Sequence, residues 1–114
     1  MQYLLLIYED EKRFSDFNSP ELTAELGEYR AVGEEFAAAI KGGNALQPTS
    51  TAKTVRVRNG KPLVIDGPFA ETKEQLGGYY LIEADNPEQV AAMAAKIPGA
   101  RFRCVEIRPI MNFS

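Results

Sequence analysis

Histidine is absent from all 114 residues. That removes the commonest general base near neutral pH and the usual nitrogen ligand for zinc. Ser-His-Asp triads, Cys-His pairs and ordinary zinc sites are thereby excluded, and no metal or cofactor is expected. Cysteine occurs once, at Cys104, so no disulfide closes within the chain, in keeping with a reducing compartment. Its period-2 neighbours suggest a strand, where the thiol is expected to be a small buried side chain and not a nucleophile. Long apolar runs are missing too. The longest, Tyr3-Leu4-Leu5-Leu6-Ile7-Tyr8, is too short to span a bilayer and lacks the basic flank and cleavage site of a secretion signal. The expectation is a cytoplasmic protein that stays off the membrane. A basic surplus is also lacking: thirteen Lys and Arg face sixteen Asp and Glu, a net charge of −3. With the cations scattered along the chain, nucleic acid is not an expected partner.

The composition that remains is that of an ordinary folded domain, with 45% hydrophobic and 25% charged residues, and the length suits one core. Tyr3 to Tyr8 reads as a buried central strand. Ser19-Pro20-Glu21 supplies a capping hydroxyl, a proline at the first helical position and an acid for the helix dipole. The helix so begun has an apolar or small stripe at Leu22, Leu26, Tyr29, Gly33, Phe36 and Ile40. Glu21, Glu25, Glu28 and Glu35 are expected opposite it, and Gly42-Gly43 is expected to end it.

Thr54 to Arg58 alternates, and Asn59-Gly60 leads into Leu63-Val64-Ile65, the strongest short-range hairpin signal. Tyr79 to Ala84 forms a further strand. Asn86-Pro87-Glu88 opens a second helix with Val90, Met93, Ala94 and Ile97 on its apolar face, and Phe102 to Arg108 is a last strand. The order is β-α-β-β-β-α-β. Right-handed crossovers place both helices on one face of a single antiparallel sheet, an α+β ferredoxin-like arrangement. The other face is left apolar and bare, which predicts a homodimer with a cleft for a small molecule.

The stretch Asp66-Gly67-Pro68-Phe69-Ala70-Glu71-Thr72-Lys73-Glu74-Gln75-Leu76-Gly77-Gly78-Tyr79-Tyr80 resembles the signature of the DGPF branch of the YCII-related family. The likeness extends to Tyr3–Glu9, Leu46-Gln47-Pro48, Thr54–Arg58 and Val105–Ile110, and so to nearly the whole chain. It implies a dimeric ferredoxin-like fold of the dimeric α/β-barrel type. Members of the family are often encoded beside extracytoplasmic-function sigma factors, and in the YCII branch are regarded as enzymes with a paired histidine and aspartate. Asp66 matches that aspartate, whereas the histidine has no counterpart here.

Two readings of the DGPF segment follow. In one, Asp66 accepts backbone N–H groups inside its own turn, with Gly67 and Pro68 setting the angles. In the other, Asp66 faces the cleft at a strand end. Burial beneath Phe69 and the tyrosines then raises its pKa, and Lys73 with Tyr79 or Tyr80 holds a small organic acid or carbonyl compound. Tyr79 and Tyr80 point to opposite faces, so one lines the cleft and the other packs under a helix. Gly77-Gly78 leads into a strand and is expected to make a bulge or a close backbone contact, not a phosphate loop. The functional alternatives are a small-molecule-binding or regulatory homodimer and a lyase- or isomerase-like enzyme using Asp66.

Overall fold

A computed structural model describes residues 1–14 and 19–113. Six strands are present: β1 (Gln2–Glu9), β2 (Ile40–Ala45), β3 (Lys53–Arg58), β4 (Lys61–Asp66), β5 (Gln75–Glu83) and β6 (Cys104–Pro109). The helices are α1 (Pro20–Glu35), α2 (Pro87–Ala95) and the one-turn α3 (Gly99–Phe102). None of them is long and apolar enough to cross a membrane. The expected caps hold both main helices. Ser19 Oγ accepts from the Leu22 amide at 3.2 Å and Asn86 Oδ1 from the Gln89 amide at 3.0 Å, each with proline in the first turn.

The main sheet has the order β2-β5-β1-β6, with every neighbour antiparallel. Two crossovers, β1-α1-β2 and β5-α2-α3-β6, give the ferredoxin-like fold. The side-chain period of a strand sorts β1 between the two faces. Tyr3, Leu5 and Ile7 are buried against Val32 of α1 and against Val90, Met93, Ala94 and Ile97 in and after α2, with Ile82 beside them. Leu4 and Leu6 point the other way, paired with Leu81 and Tyr79, and remain only half-buried. Both helices therefore cover one face, and the reverse face is open.

Four details differ from the sequence reading. Helix α1 stops at Glu35, and Ile40, expected as its last apolar position, begins the edge strand β2. Gly42-Gly43 reads as a helix stop, yet the pair serves the sheet: a Cβ on Gly43 would lie 2.7 Å from the Tyr79 carbonyl oxygen. The buried stripe of α1 runs Leu22, Glu25, Tyr29, Val32, Phe36, which puts Glu25 inside at 4% exposure and leaves Leu26 out. Phe102 belongs to α3, with the last strand starting at Cys104, whose thiol is exposed. It sits at a strand end on the open face beside Glu74 and is not in the core.

The hairpin forms where expected. Asn59 and Gly60 have φ of 52° and 75°, which fits the type I′ turn that Asn-Gly favours. β3 and β4 make their own two-stranded sheet, however, and do not join the main one. The expected single sheet of five strands is thus a four-stranded sheet plus an arm. The arm leaves the end of β2 and returns to the start of β5. Only Thr54 of its strand residues is not exposed.

Candidate functional site

A cavity of about 640 Å³ opens between the N-terminal half of α1 and the β2–β5 strand pair. Its origin is local. At this end of the sheet the strands carry Gly43, Gly77 and Gly78 where side chains would otherwise fill the space below the helix. Leu22, Leu26 and Tyr29 roof the cavity, Ile7 and Tyr80 close its inner end, and Glu9, Glu11 and Glu25 line it from β1, the following 3₁₀ turn and α1.

The glycine pair also shapes the strand that holds Glu9. Along β1 and β5, Ile7 faces Gly78 while Tyr8 faces Leu76, so Gly77 is the extra residue of a β-bulge. The Glu9 side chain occupies the room above Gly77. A Cβ placed there would lie 2.5 Å from Glu9 Oε2.

The three carboxylates have different surroundings. Glu11 accepts the Thr49 amide at 2.7 Å and the Thr49 hydroxyl at 2.8 Å, which ties the 3₁₀ turn to the chain leading into the arm. Buried Glu25 accepts Arg13 Nη2 at 2.9 Å, and the Arg13 guanidinium lies 3.5 Å above the Phe102 ring centre. Glu9 accepts no hydrogen bond and joins no ion pair among the described residues. Its pKa is raised, first by desolvation and next by repulsion from Glu25, with Arg13 partly opposing.

The tyrosines beside these acids remain proton donors over a wide pH range. Burial raises the pKa of Tyr29, with Glu9 and Glu25 adding to the effect, and burial raises that of Tyr80. The Tyr29 hydroxyl is enclosed beside the Gly99 backbone, which opposes the rise in its pKa, and makes no hydrogen bond of good geometry among the described residues. The lining thus offers one carboxylate without a partner among the described residues, the phenols of Tyr29 and Tyr80 with raised pKa, apolar walls and a surplus of negative charge.

The residues singled out from sequence fall in three places. Tyr79 and Tyr80 line the cavity from β5. Tyr80 packs against the core under α1, while the Tyr79 hydroxyl accepts Asn44 Nδ2 at 2.9 Å across the β2–β5 pair. Lys73 lines a shallower hollow of about 550 Å³ with Tyr8, Thr72, Glu74, Cys104 and Glu106. Asp66 and Phe69 line neither. Asp66 ends β4 with its side chain 86% exposed and bound to Lys53 Nζ at 2.6 Å, and Phe69 is 81% exposed. In the single chain, then, Asp66 is not buried beneath Phe69 and the tyrosines. It pairs with Lys53 at the root of the arm, with its side chain turned to solvent.

Glu9 and Glu25 are the functional candidates that the sequence reading passed over. Glu9 stands in an acidic run that resembles an ordinary hydrated cluster. Glu25 did leave a signal, because it falls on the 22-25-29-32-36 spacing, where a charge interrupts an otherwise apolar or aromatic stripe. Among the described residues no three acidic or sulfur side chains converge as metal ligands.

Known proteins resemble the chain at two levels. An uncharacterized protein of Rhizobium meliloti (strain 1021) is 36% identical, with 96% of this chain and 92% of that protein covered. The solved structure of 5-chloro-2-hydroxyhydroquinone dehydrochlorinase from Burkholderia phenoliruptrix AC1100, in complex with 2,5-dihydroxybenzoquinone, superposes with a TM-score of 0.53. It is 14% identical, over 97% of this chain and 94% of that one, a likeness of fold. The family model described as the YCII-related domain matches residues 1–114, and the chain belongs to that family.

Proposed function

We propose that this protein binds a small neutral hydroxylated organic molecule in the cavity beneath α1, and that Glu9 exchanges a proton with it. The observation that carries the reading is the Glu9 carboxylate: half-buried, without a hydrogen-bond partner, its pKa raised by desolvation, among aromatic and apolar walls. A carboxylate so placed is a better base than one in water and needs no imidazole. Three carboxylates against one guanidinium repel an anionic ligand, whereas a phenol donates its proton toward Glu9 and stacks against the tyrosines. The substrate named for the dehydrochlorinase of similar fold is a hydroxylated aromatic, which agrees with this class. Compared with a site at Asp66, the proton carrier moves from the arm to the cavity, and the favoured ligand changes from an organic acid to a neutral phenol.

The working unit in this proposal is a homodimer. Leu4, Leu6, Tyr79 and Leu81 form the centre of the open sheet face, and a second copy buries that face with closed two-fold symmetry. A regulatory role beside a sigma factor would need the same binding step and one further protein.

Calorimetric titration with catechol, hydroquinone and benzoate tests the ligand class. The phenols are expected to bind and benzoate is not, with Glu9→Gln weakening the phenols about tenfold. Equal binding of benzoate, or no effect of Glu9→Gln, refutes the reading. Deuterium uptake at the ring carbons of 1,2,4-trihydroxybenzene, followed by NMR in D₂O without oxygen, reports proton transfer. Binding without catalysed exchange leaves a ligand-binding protein.

A further inference from the structure

The β3–β4 arm is an unusual surface for a protein this small. Directly opposed residues of an antiparallel pair share a face, so Val55 with Val64 and Val57 with Pro62 form one side of the ribbon. The valines are 60%, 58% and 62% exposed for Val55, Val64 and Val57. The other side carries Arg56, Arg58 and Lys61 with Leu63 and Ile65. A two-stranded hairpin with an apolar stripe facing water is marginal alone and needs a surface to lie on. Its own body does not provide one here.

Charge is divided between arm and body. Residues 53–66 hold four of the thirteen cations and one of the sixteen carboxylates, a net +3, which leaves −6 on the remainder of the chain. The four cations, Lys53, Arg56, Arg58 and Lys61, are close in sequence, and the hairpin holds them together on one ribbon while all but one of the acids stay on the body. An arm of one sign and a body of the other attract between copies, and two-fold symmetry lets each copy give its arm and receive its partner's.

We infer that the β3–β4 arm is a clasp that lies across a second copy of this chain. Its valine stripe packs on the partner beside the sheet-to-sheet contact, and its cations are drawn to the partner's net-negative body. The inference rests on the homodimer reading and goes beyond it, since a sheet-to-sheet dimer does not require the arm. The arm roots at the cavity rim, where Leu46 and Pro48 line the cavity and Thr49 is held by Glu11. Clasping therefore couples the dimer contact to the ligand site.

The test is sedimentation velocity of the whole chain and two variants. Val57→Asp/Val64→Asp changes exposed arm positions only, so the far-UV spectrum should be unchanged. Leu6→Asp disrupts the open sheet face. The wild type is expected to be a dimer whose dissociation constant rises about tenfold when salt is raised from about 0.15 M to about 1 M. The arm variant is expected to be monomeric at the same concentration. A salt-insensitive dimer, or an arm variant as dimeric as the wild type, overturns the clasp, and loss of the dimer in Leu6→Asp alone then leaves the sheet-face dimer standing. A monomeric wild type overturns both, as does a monomer whose arm binds vesicles rich in phosphatidylserine.

Discussion

The carboxylate of Glu9 rests above the α-carbon of Gly77, in space that any side chain on residue 77 would occupy. Bulge, glycine and acid form one device: the extra residue in β5 kinks the strand, and its bare α-carbon lets the carboxylate lie inside the cavity. Gly77→Ala is expected to displace the flexible end of Glu9 into water. No positive φ is needed at residue 77, so the stability cost should stay below about 1 kcal/mol. A carboxyl ¹³C titration should show the Glu9 pKa falling back toward the ordinary glutamate range. An unchanged titration would mean that the glycine does not shelter the acid.

The raised pKa of Glu9 also shapes stability against pH. The folded state holds the Glu9 proton more tightly than the unfolded chain does, so this contribution is fully present below the unfolded value of 4.5. It declines as pH rises through the folded value. Glu9→Gln removes the ionisation. The stability difference between variant and wild type, from urea denaturation, is expected to move in favour of Glu9→Gln as pH rises above 4.5. A constant difference would show that Glu9 titrates normally.

Those two residues mark how far sequence reading reaches. The bulge at Gly77-Gly78, the Asn-Gly turn and both capped helices were legible because each rests on local backbone chemistry. The strand Ile40–Ala45 was not, since its glycines answer to Tyr79 and Tyr80 on a strand some 35 residues further on, and within the sequence they resemble a helix stop. Glu9 was hidden for the same reason: its burial is created by α1 and β5, not by Asp10 and Glu11 beside it. Asp66 drew attention because it matches the aspartate of the family motif; the chain bends after it at Gly67, but among the described residues its carboxylate bonds Lys53 and no backbone amide of its own turn.

The pair of Arg13 and Glu25 supports the cavity wall from α1. Arg13→Ala leaves a carboxylate at 4% exposure without its cation, a loss of about 1–3 kcal/mol. Adding Glu25→Gln removes the stranded charge. The double variant is expected to recover most of the loss, short of the roughly 0.5–1 kcal/mol of the Arg13–Phe102 contact. Urea denaturation of the four proteins of the cycle measures this, and additive single effects would show that the pair does not interact.

Asp66 and Gly67 separate two readings of the DGPF turn. The Asp66–Lys53 bridge is exposed on both sides, with side-chain exposures of 86% and 67%, so Asp66→Asn should change stability by less than about 1 kcal/mol. Phenol binding in the cavity should not respond to it. Gly67 has φ of 102°, a conformation that side chains disfavour, and its amide donates to the Ala52 carbonyl at 2.7 Å. Gly67→Ala is therefore the costlier change, by about 1–3 kcal/mol. Because the strain sits at the root of the arm, it should appear as faster amide exchange across the β3–β4 ladder, roughly 5- to 150-fold. If Asp66→Asn instead abolishes ligand binding while the ladder exchanges normally, the aspartate has a role that its exposed bridge to Lys53 does not explain.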